Sequence, residues 1–111
     1  KIGRHDGGET INPADELREF NESDTTDLQQ FIDTYMPKVG PLKEGKVCKY
    51  TMTPDEHFII DFLPEQSNII VASGFSGHGF KFASAVGEML AQMVTDGKPQ
   101  LSNELFKLNR F

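Results

Sequence analysis

The sequence is short of cysteine, of positive charge and of long apolar runs. Its one cysteine, Cys48, cannot close an internal disulfide, so no secreted disulfide scaffold is supported. Eleven Lys and Arg stand against 17 Asp and Glu, a net charge of −6, which argues against a nucleic-acid groove. No apolar run approaches the ~18–20 residues that span a bilayer, and no signal-peptide pattern is present. Hydrophobic residues make up 37% of the chain, below the usual apolar share. What remains is 111 residues, enough for one domain with one modest core. The opening Lys1-Ile2-Gly3 reads as the middle of a longer polypeptide.

Periodicity supplies the elements. KIGRHDGGETI, residues 1–11, reads as a short strand and a loop. Asn12-Pro13 has the form of an N-cap with Pro at the first helical position, and Leu17 and Phe20 share a face, which predicts a short helix over 13–20. Thr26 and Gln29 fit a capping box ahead of the stripe Leu28, Phe31, Ile32, Tyr35 and Met36, a second helix stopped by Pro37 and Gly40-Pro41. KVCKYTMT then alternates, predicting a half-buried strand over 46–52 with Cys48 and Lys49 on opposite faces. HFIIDFL and NIIVASG are two more strands, separated by Pro64-Glu65-Gln66-Ser67. The continuous run Ile69–Ala72 reads as a strand covered on both faces. A helix over about 79–95 follows, with Phe82, Val86, Met89, Leu90 and Met93 as its buried stripe and Gly97-Lys98-Pro99 as its stop. The tail LFKLNRF reads as an edge strand or an ordered coil. The order predicts an α+β fold, a small and mostly antiparallel sheet with about three helices.

One stretch asks for a chemical reason. GFSGHGFKF, Gly74–Phe82, directly follows the apolar run NIIVASG. Glycines let a backbone turn tightly and let a ligand approach main-chain N–H groups. A helix N-terminus attracts negative charge. The stretch therefore reads either as a site for an anion or electron-rich cofactor, or as a tight strand–helix connection without a ligand. It lacks the G-x-G-x-x-G spacing, so the chain contains no complete Rossmann unit. Asp55, Glu56 and Asp61 have a spacing that fits no common metal-ligand set.

VCKYTMTPDEHFIIDFLP and NIIVASGFSGHGFKFASAVGEML strongly resemble the C-terminal part of the monomeric sarcosine oxidase and N-methyltryptophan oxidase family, flavin-dependent amine oxidases of the D-amino-acid-oxidase-like group. The resemblance runs from KIGRH through INP, REF and FIDTYMP to LNRF. It covers about the last third of a family member, and the N-terminal unit that holds the ADP half of FAD has no counterpart in this chain. It implies that residues 1–65 belong mainly to the catalytic part and that the strand, turn and helix of 66–96 return to the FAD domain.

The resemblance also implies roles. Cys48 matches the cysteine that forms a thioether with the flavin 8α-methyl; without the resemblance it reads as a small core cysteine. Lys49 follows it where the family usually has an apolar residue. Lys81 matches the lysine that binds the substrate carboxylate, the other reading being a solvated first-turn lysine. Phe75, Gly77, His78, Gly79 and Phe80 match the loop over the flavin pyrimidine edge, where main-chain N–H groups would stabilise charge at N1 and O2. By itself His78 reads as a structural histidine. Lys1 matches a lysine that promotes reaction of reduced flavin with O2, and His5 a histidine that lines the substrate pocket; Arg4 stands where an aromatic residue is common.

The implied function is oxidative demethylation of a small N-methyl amino acid by a monomeric, cytoplasmic, FAD-dependent parent, with O2 as acceptor and H2O2 and formaldehyde as products. The implied flavin is covalent in the parent and absent from the 111-residue stretch alone, which is then catalytically silent. Nucleic acid and membrane are not expected partners. The apolar strand NIIVASG, deprived of neighbours, is expected to promote self-association of the isolated stretch.

Overall fold

The computed structural model describes residues 1–5 and 8–111, the side chain of Asp27 excepted. The chain divides into two compact units, Lys1–Lys49 and Tyr50–Phe111.

The first unit is mostly irregular and carries one helix, α1 (Ser23–Tyr35). The expected capping box at Thr26 lies inside this helix, because Asn21 serves its start instead. Asn21 Oδ1 accepts the Ser23 N–H at 2.9 Å, and Asp24 Oδ2 accepts the Asn21 N–H at 3.0 Å. This reciprocal pair satisfies donors that a helix start leaves open. Arg18 grips the same carboxylate at 2.6 and 2.7 Å and holds the Asp24 carboxyl down at about 2.

The helix expected over 13–20 is absent: a single turn covers Pro13, Ala14 and Asp15, and the chain then leaves it. Asn12 Oδ1 accepts the Ala14 N–H at 2.9 Å, and Asp15 closes the turn with its own N–H to the Asn12 carbonyl at 3.0 Å. The Lys49 ammonium donates to the carbonyls of Pro13 and Asp15. Those are acceptors that a continuing helix would use internally, and a stretch of about eight residues is too short to form a helix without tertiary support. Phe20 lies against the backbone of Gly45, where an added Cβ would meet its ring at 2.3 Å. The strand expected within residues 1–11 is coil over the described part, and Asp6 and Gly7 lie outside the described residues. The strand expected over 46–52 joins no sheet among the described residues. Alternation alone gives a strand no ladder partner.

The second unit is an antiparallel hairpin with a helix on it. Strand β1 (Ile59–Leu63) pairs with β2 (Gln66–Ser73) around Pro64-Glu65, in the register Ile60↔Ala72 and Phe62↔Ile70, with an irregularity between Phe62 and Leu63. A 3-10 turn, Gly79–Phe82, then opens into α2 (Ala83–Asp96), which ends at Gly97 in the left-handed conformation, φ 74°. Phe58, Ile60, Met89 and Met93 form the buried core, with Phe62, Ile70, Phe75, Val86, Leu90 and Phe106 packed around it. Flexible methionines suit the seam between a twisted hairpin and a helix.

The tail is coil with two 3-10 turns, Glu104–Phe106 and Leu108–Arg110. It docks on β1: Asn103 Nδ2 donates to the Ile60 carbonyl at 3.1 Å, and the Leu108 N–H donates to Asp61 Oδ2 at 3.0 Å. These contacts blunt one edge of the two-stranded sheet. β2 is not covered on both faces: Ile69 and Ala72 are exposed, and Ile70 and Val71 half-buried. The run has only β1 as a ladder neighbour among the described residues.

Acid should loosen both units. The Arg110 guanidinium holds the Asp55 carboxyl well below its ordinary value, as Arg18 does for Asp24. A carboxyl depressed in the fold contributes stability above its ordinary pKa of about 3.8, and that contribution is lost as pH falls toward the folded value. Melting temperature should therefore drop between about pH 4 and about pH 2. Asp24→Asn and Asp55→Asn should each flatten the drop. A profile that neither substitution alters would refute the assignment.

Candidate functional site

The turn between β2 and α2 is built from backbone that ordinary residues resist. Gly74, Ser76 and Gly77 have φ of 63°, 47° and 75°. The glycines are needed for internal packing as well as for conformation. A Cβ on Gly74 would meet Thr53 Cγ2 at 2.4 Å, one on Gly77 the Tyr50 ring at 2.3 Å, and one on Gly79 the Phe75 side chain at 2.6 Å.

Partners on several sides hold Ser76 in its left-handed backbone. It is 1% exposed, its N–H donates to the Thr51 carbonyl at 3.1 Å, and its hydroxyl donates to the Gly74 carbonyl at 3.2 Å. The Thr53 N–H reaches the Ser76 hydroxyl at 3.4 Å. His78 stands on Phe58, ring centroids 5.1 Å apart, and its Nε2 lies 3.0 Å from the Glu56 carbonyl. These contacts give His78 a structural role in the turn, beside the residues expected to bind.

The outer side of the turn is different. Phe80 is 96% exposed. Lys81 lies 5.6 Å from the centroid of the Phe82 ring, and among the described residues it pairs with no carboxylate. The N–H groups that open a 3-10 turn have no acceptors within it. An exposed aromatic ring, an ammonium without an anion and backbone donors therefore lie within a few residues of each other. Chemically, the arrangement can receive a flat, electron-rich edge or a carboxylate.

The remaining candidates belong to the first unit. Cys48 is a free, exposed thiol, which sets aside its reading as a core cysteine. Lys49 turns its ammonium to the Asn12–Asp15 turn. Lys1 and His5 are exposed and in coil. The residues expected to act together are thus split: Lys1, His5 and Cys48 in one unit, and Phe75, Gly77, His78, Gly79, Phe80 and Lys81 in the other. A shallow concavity of about 640 Å³ runs along α1, lined by Thr26, Gln30 and Asp33 among others, and includes none of these residues.

Two features escape a reading of the sequence. Thr53 and Ser76 lock the turn from beneath, across 23 positions. Pro54-Asp55-Glu56 reads as turn chemistry and forms a turn, but that Asp55 receives Arg110 across 55 positions is not visible in it. His57 helps to build the same turn, with its N–H on Asp55 Oδ1 at 3.1 Å and its carbonyl accepting from Thr53 Oγ1 at 2.7 Å. No local pattern signals pairs so distant in sequence. A threonine in a turn-rich segment and a serine between glycines are the only hints.

Residues 2–93 match the family model described as FAD dependent oxidoreductase. The chain is 52% identical to a monomeric sarcosine oxidase of Bacillus sp. (strain NS-129), over 99% of its own length and 29% of that protein's. A monomeric sarcosine oxidase of Arthrobacter sp. (strain TE1826) is 50% identical, with the same coverage of each. An N-methyl-L-tryptophan oxidase of Yersinia pestis (strain Pestoides F) is 42% identical, over 100% of the chain and 30% of the relative. The chain therefore spans less than a third of the length of these relatives. No helix among the described residues is long and apolar enough to cross a membrane.

Proposed function

Because the chain belongs to the FAD dependent oxidoreductase family, we propose that it is the C-terminal part of an oxidase that demethylates N-methyl amino acids of the sarcosine or N-methyltryptophan type. The observation that carries this reading is the identity to both kinds of oxidase along essentially the whole chain. Bound FAD would accept two electrons from the substrate amine and pass them to O2, giving H2O2, with formaldehyde released on hydrolysis of the imine.

The residues present fit such a group. A free thiol at Cys48 is accessible for a thioether to the flavin. The turn through Phe75, Gly77, His78, Gly79 and Phe80 would bring backbone N–H donors to a ring edge that gains negative charge, the His78 N–H itself being engaged at the Phe75 carbonyl at 3.0 Å. Lys81, without a carboxylate partner among the described residues, supplies an ammonium to a substrate carboxylate. Lys1 would provide positive charge near the site of O2 reduction, and His5 a wall of the substrate pocket. Lys49 leaves the attachment site clear, since its ammonium is engaged at the carbonyls of Pro13 and Asp15.

One observation favours a second reading for the 111-residue stretch taken alone. It carries no G-x-G-x-x-G fingerprint for the ADP half of FAD. By itself it would be catalytically silent.

The deciding experiment uses the full-length protein that carries this chain. After acid precipitation, yellow colour should stay with the protein, and Cys48→Ser should release it into the supernatant. Colour lost from both proteins would refute covalent attachment at Cys48. Absence of flavin from the native protein before precipitation would refute the oxidase reading itself.

A further inference from the structure

The C-terminal tail carries a clasp on the turn that precedes β1. Arg110 Nε donates to Asp55 Oδ2 at 2.7 Å, and one Nη donates to Asp55 Oδ1 at 3.1 Å and to the His57 carbonyl at 3.0 Å. The other Nη donates to the Lys107 carbonyl at 2.8 Å. The Arg110 side chain is only 13% exposed, unlike the Lys46–Glu44 pair at 77% and 70%. A forked guanidinium on a carboxylate fixes direction as well as distance.

The clasp holds the turn Thr53–Glu56, which the Glu56 N–H closes on the Thr53 carbonyl at 3.1 Å. Glu56 has φ 60°, a left-handed conformation that a non-glycine residue keeps only when its surroundings impose it. Asp55, Thr53 and Arg110 impose it through His57, each with a hydrogen bond to its backbone. The Glu56 carbonyl so placed is the one that faces His78 Nε2 at 3.0 Å. The same Thr53 supports Ser76 from below. Glu56 and Ser76 are the non-glycine residues with positive φ among the described residues, and both lie in these two joined turns. Strain of this kind persists where neighbours over-determine a backbone, and it gathers at binding and catalytic sites.

We propose that Arg110 is a positioning residue for the Gly74–Lys81 turn: through Asp55 it fixes the Glu56 carbonyl, which orients His78 and with it the backbone donors and the lysine that follow. The proposal rests on reading that turn as the flavin loop. The influence of Arg110 passes through Asp55, Glu56 and His78.

The test is amide hydrogen exchange in the full-length protein, comparing Arg110→Gln, Asp55→Asn and the exchanged pair Asp55→Arg with Arg110→Asp. Peptides covering 74–81 should exchange roughly tenfold faster or more in each single variant, because a charged hydrogen-bond network has lost a partner. The α2 peptide should change by less than about twofold. The exchanged pair should recover most of the protection, and Arg110→Lys, which keeps the charge but loses the fork, should fall between. In flavin-loaded protein the single variants should raise KM more than they lower kcat. Unchanged exchange at 74–81 would overturn the proposal. So would equal acceleration in α2, which would make the clasp a general staple of the fold. If the native protein bound no flavin, the oxidase reading would fail, and the exchange comparison would still decide whether Arg110 positions the turn.

Discussion

Phe58→Ala is expected to cost the fold about 3–5 kcal/mol, a large share of the roughly 5–15 kcal/mol that separates folded from unfolded domains. Phe58 is 4% exposed and is the hub of the second unit's aromatic cluster. Its ring lies 5.0 Å from Phe75, 5.1 Å from His78, 5.3 Å from Phe82 and 5.6 Å from Phe106. These partners come from the strand–helix turn, the start of α2 and the tail, so one truncation opens a cavity under all three. The surroundings can relax little, because Ile60 and Met93 beside it are already closed off, at 0% and 1% exposure. The tilted and edge-on ring pairs add about 0.5–1.5 kcal/mol each beyond area burial. Denaturant titration of Phe58→Ala against the native chain measures the loss, with Phe58→Leu, which keeps most of the volume, costing markedly less. A loss below about 1 kcal/mol for the alanine variant would mean that the cluster is not the centre of the core.

The hairpin and α2 were legible because their signals are local and redundant. Met89 and Met93 are buried on the stripe whose periodicity predicts it, with Val86 and Leu90 half-buried and Phe82 exposed at its start, and Pro64-Glu65 is turn chemistry between two β-rich runs. Failures came where another polar group took over backbone partners that the local pattern assigned elsewhere. Lys49 holds the carbonyls that a helix over 13–20 would need, and Asn21 serves the start of α1 before Thr26 can. The strand expected over 46–52 shows the same limit from another side, since alternation describes two faces but supplies no partner. At the site, a tight glycine turn is readable from GFSGHGF, and the structure shows how it is made, with Gly74 and Gly77 at positive φ. Cys48 and Lys81 were singled out by resemblance; nothing in their spacing distinguishes them from a surface thiol and a surface ammonium. The supports beneath the turn, Thr53 on Ser76 and Arg110 on Asp55, arise only when the chain folds back on itself.

Lys81→Met in the full-length protein is expected to raise KM for an N-methyl amino acid by about 10–100-fold, the loss of one charge-assisted contact worth roughly 1.5–3 kcal/mol. Lys81 has little to do in the fold itself. Its ammonium pairs with no carboxylate among the described residues, and it lies 5.6 Å from the Phe82 ring at an exposed position. It also sits just ahead of α2, where a cation opposes the helix dipole. Removing the charge should therefore leave stability unchanged or slightly raised, which separates a binding defect from a folding defect. A second comparison identifies the charge it meets. An N-methyl amine without a carboxylate should be oxidised equally by the native and Lys81→Met proteins, because the missing contact is absent from both complexes. Flavin content should also match, since the attachment proposed at Cys48 does not involve Lys81. Equal KM values for the amino acid in the two proteins would return Lys81 to the solvated surface. A fall in flavin content with KM preserved would instead place its charge against the cofactor, and the carboxylate would need another partner.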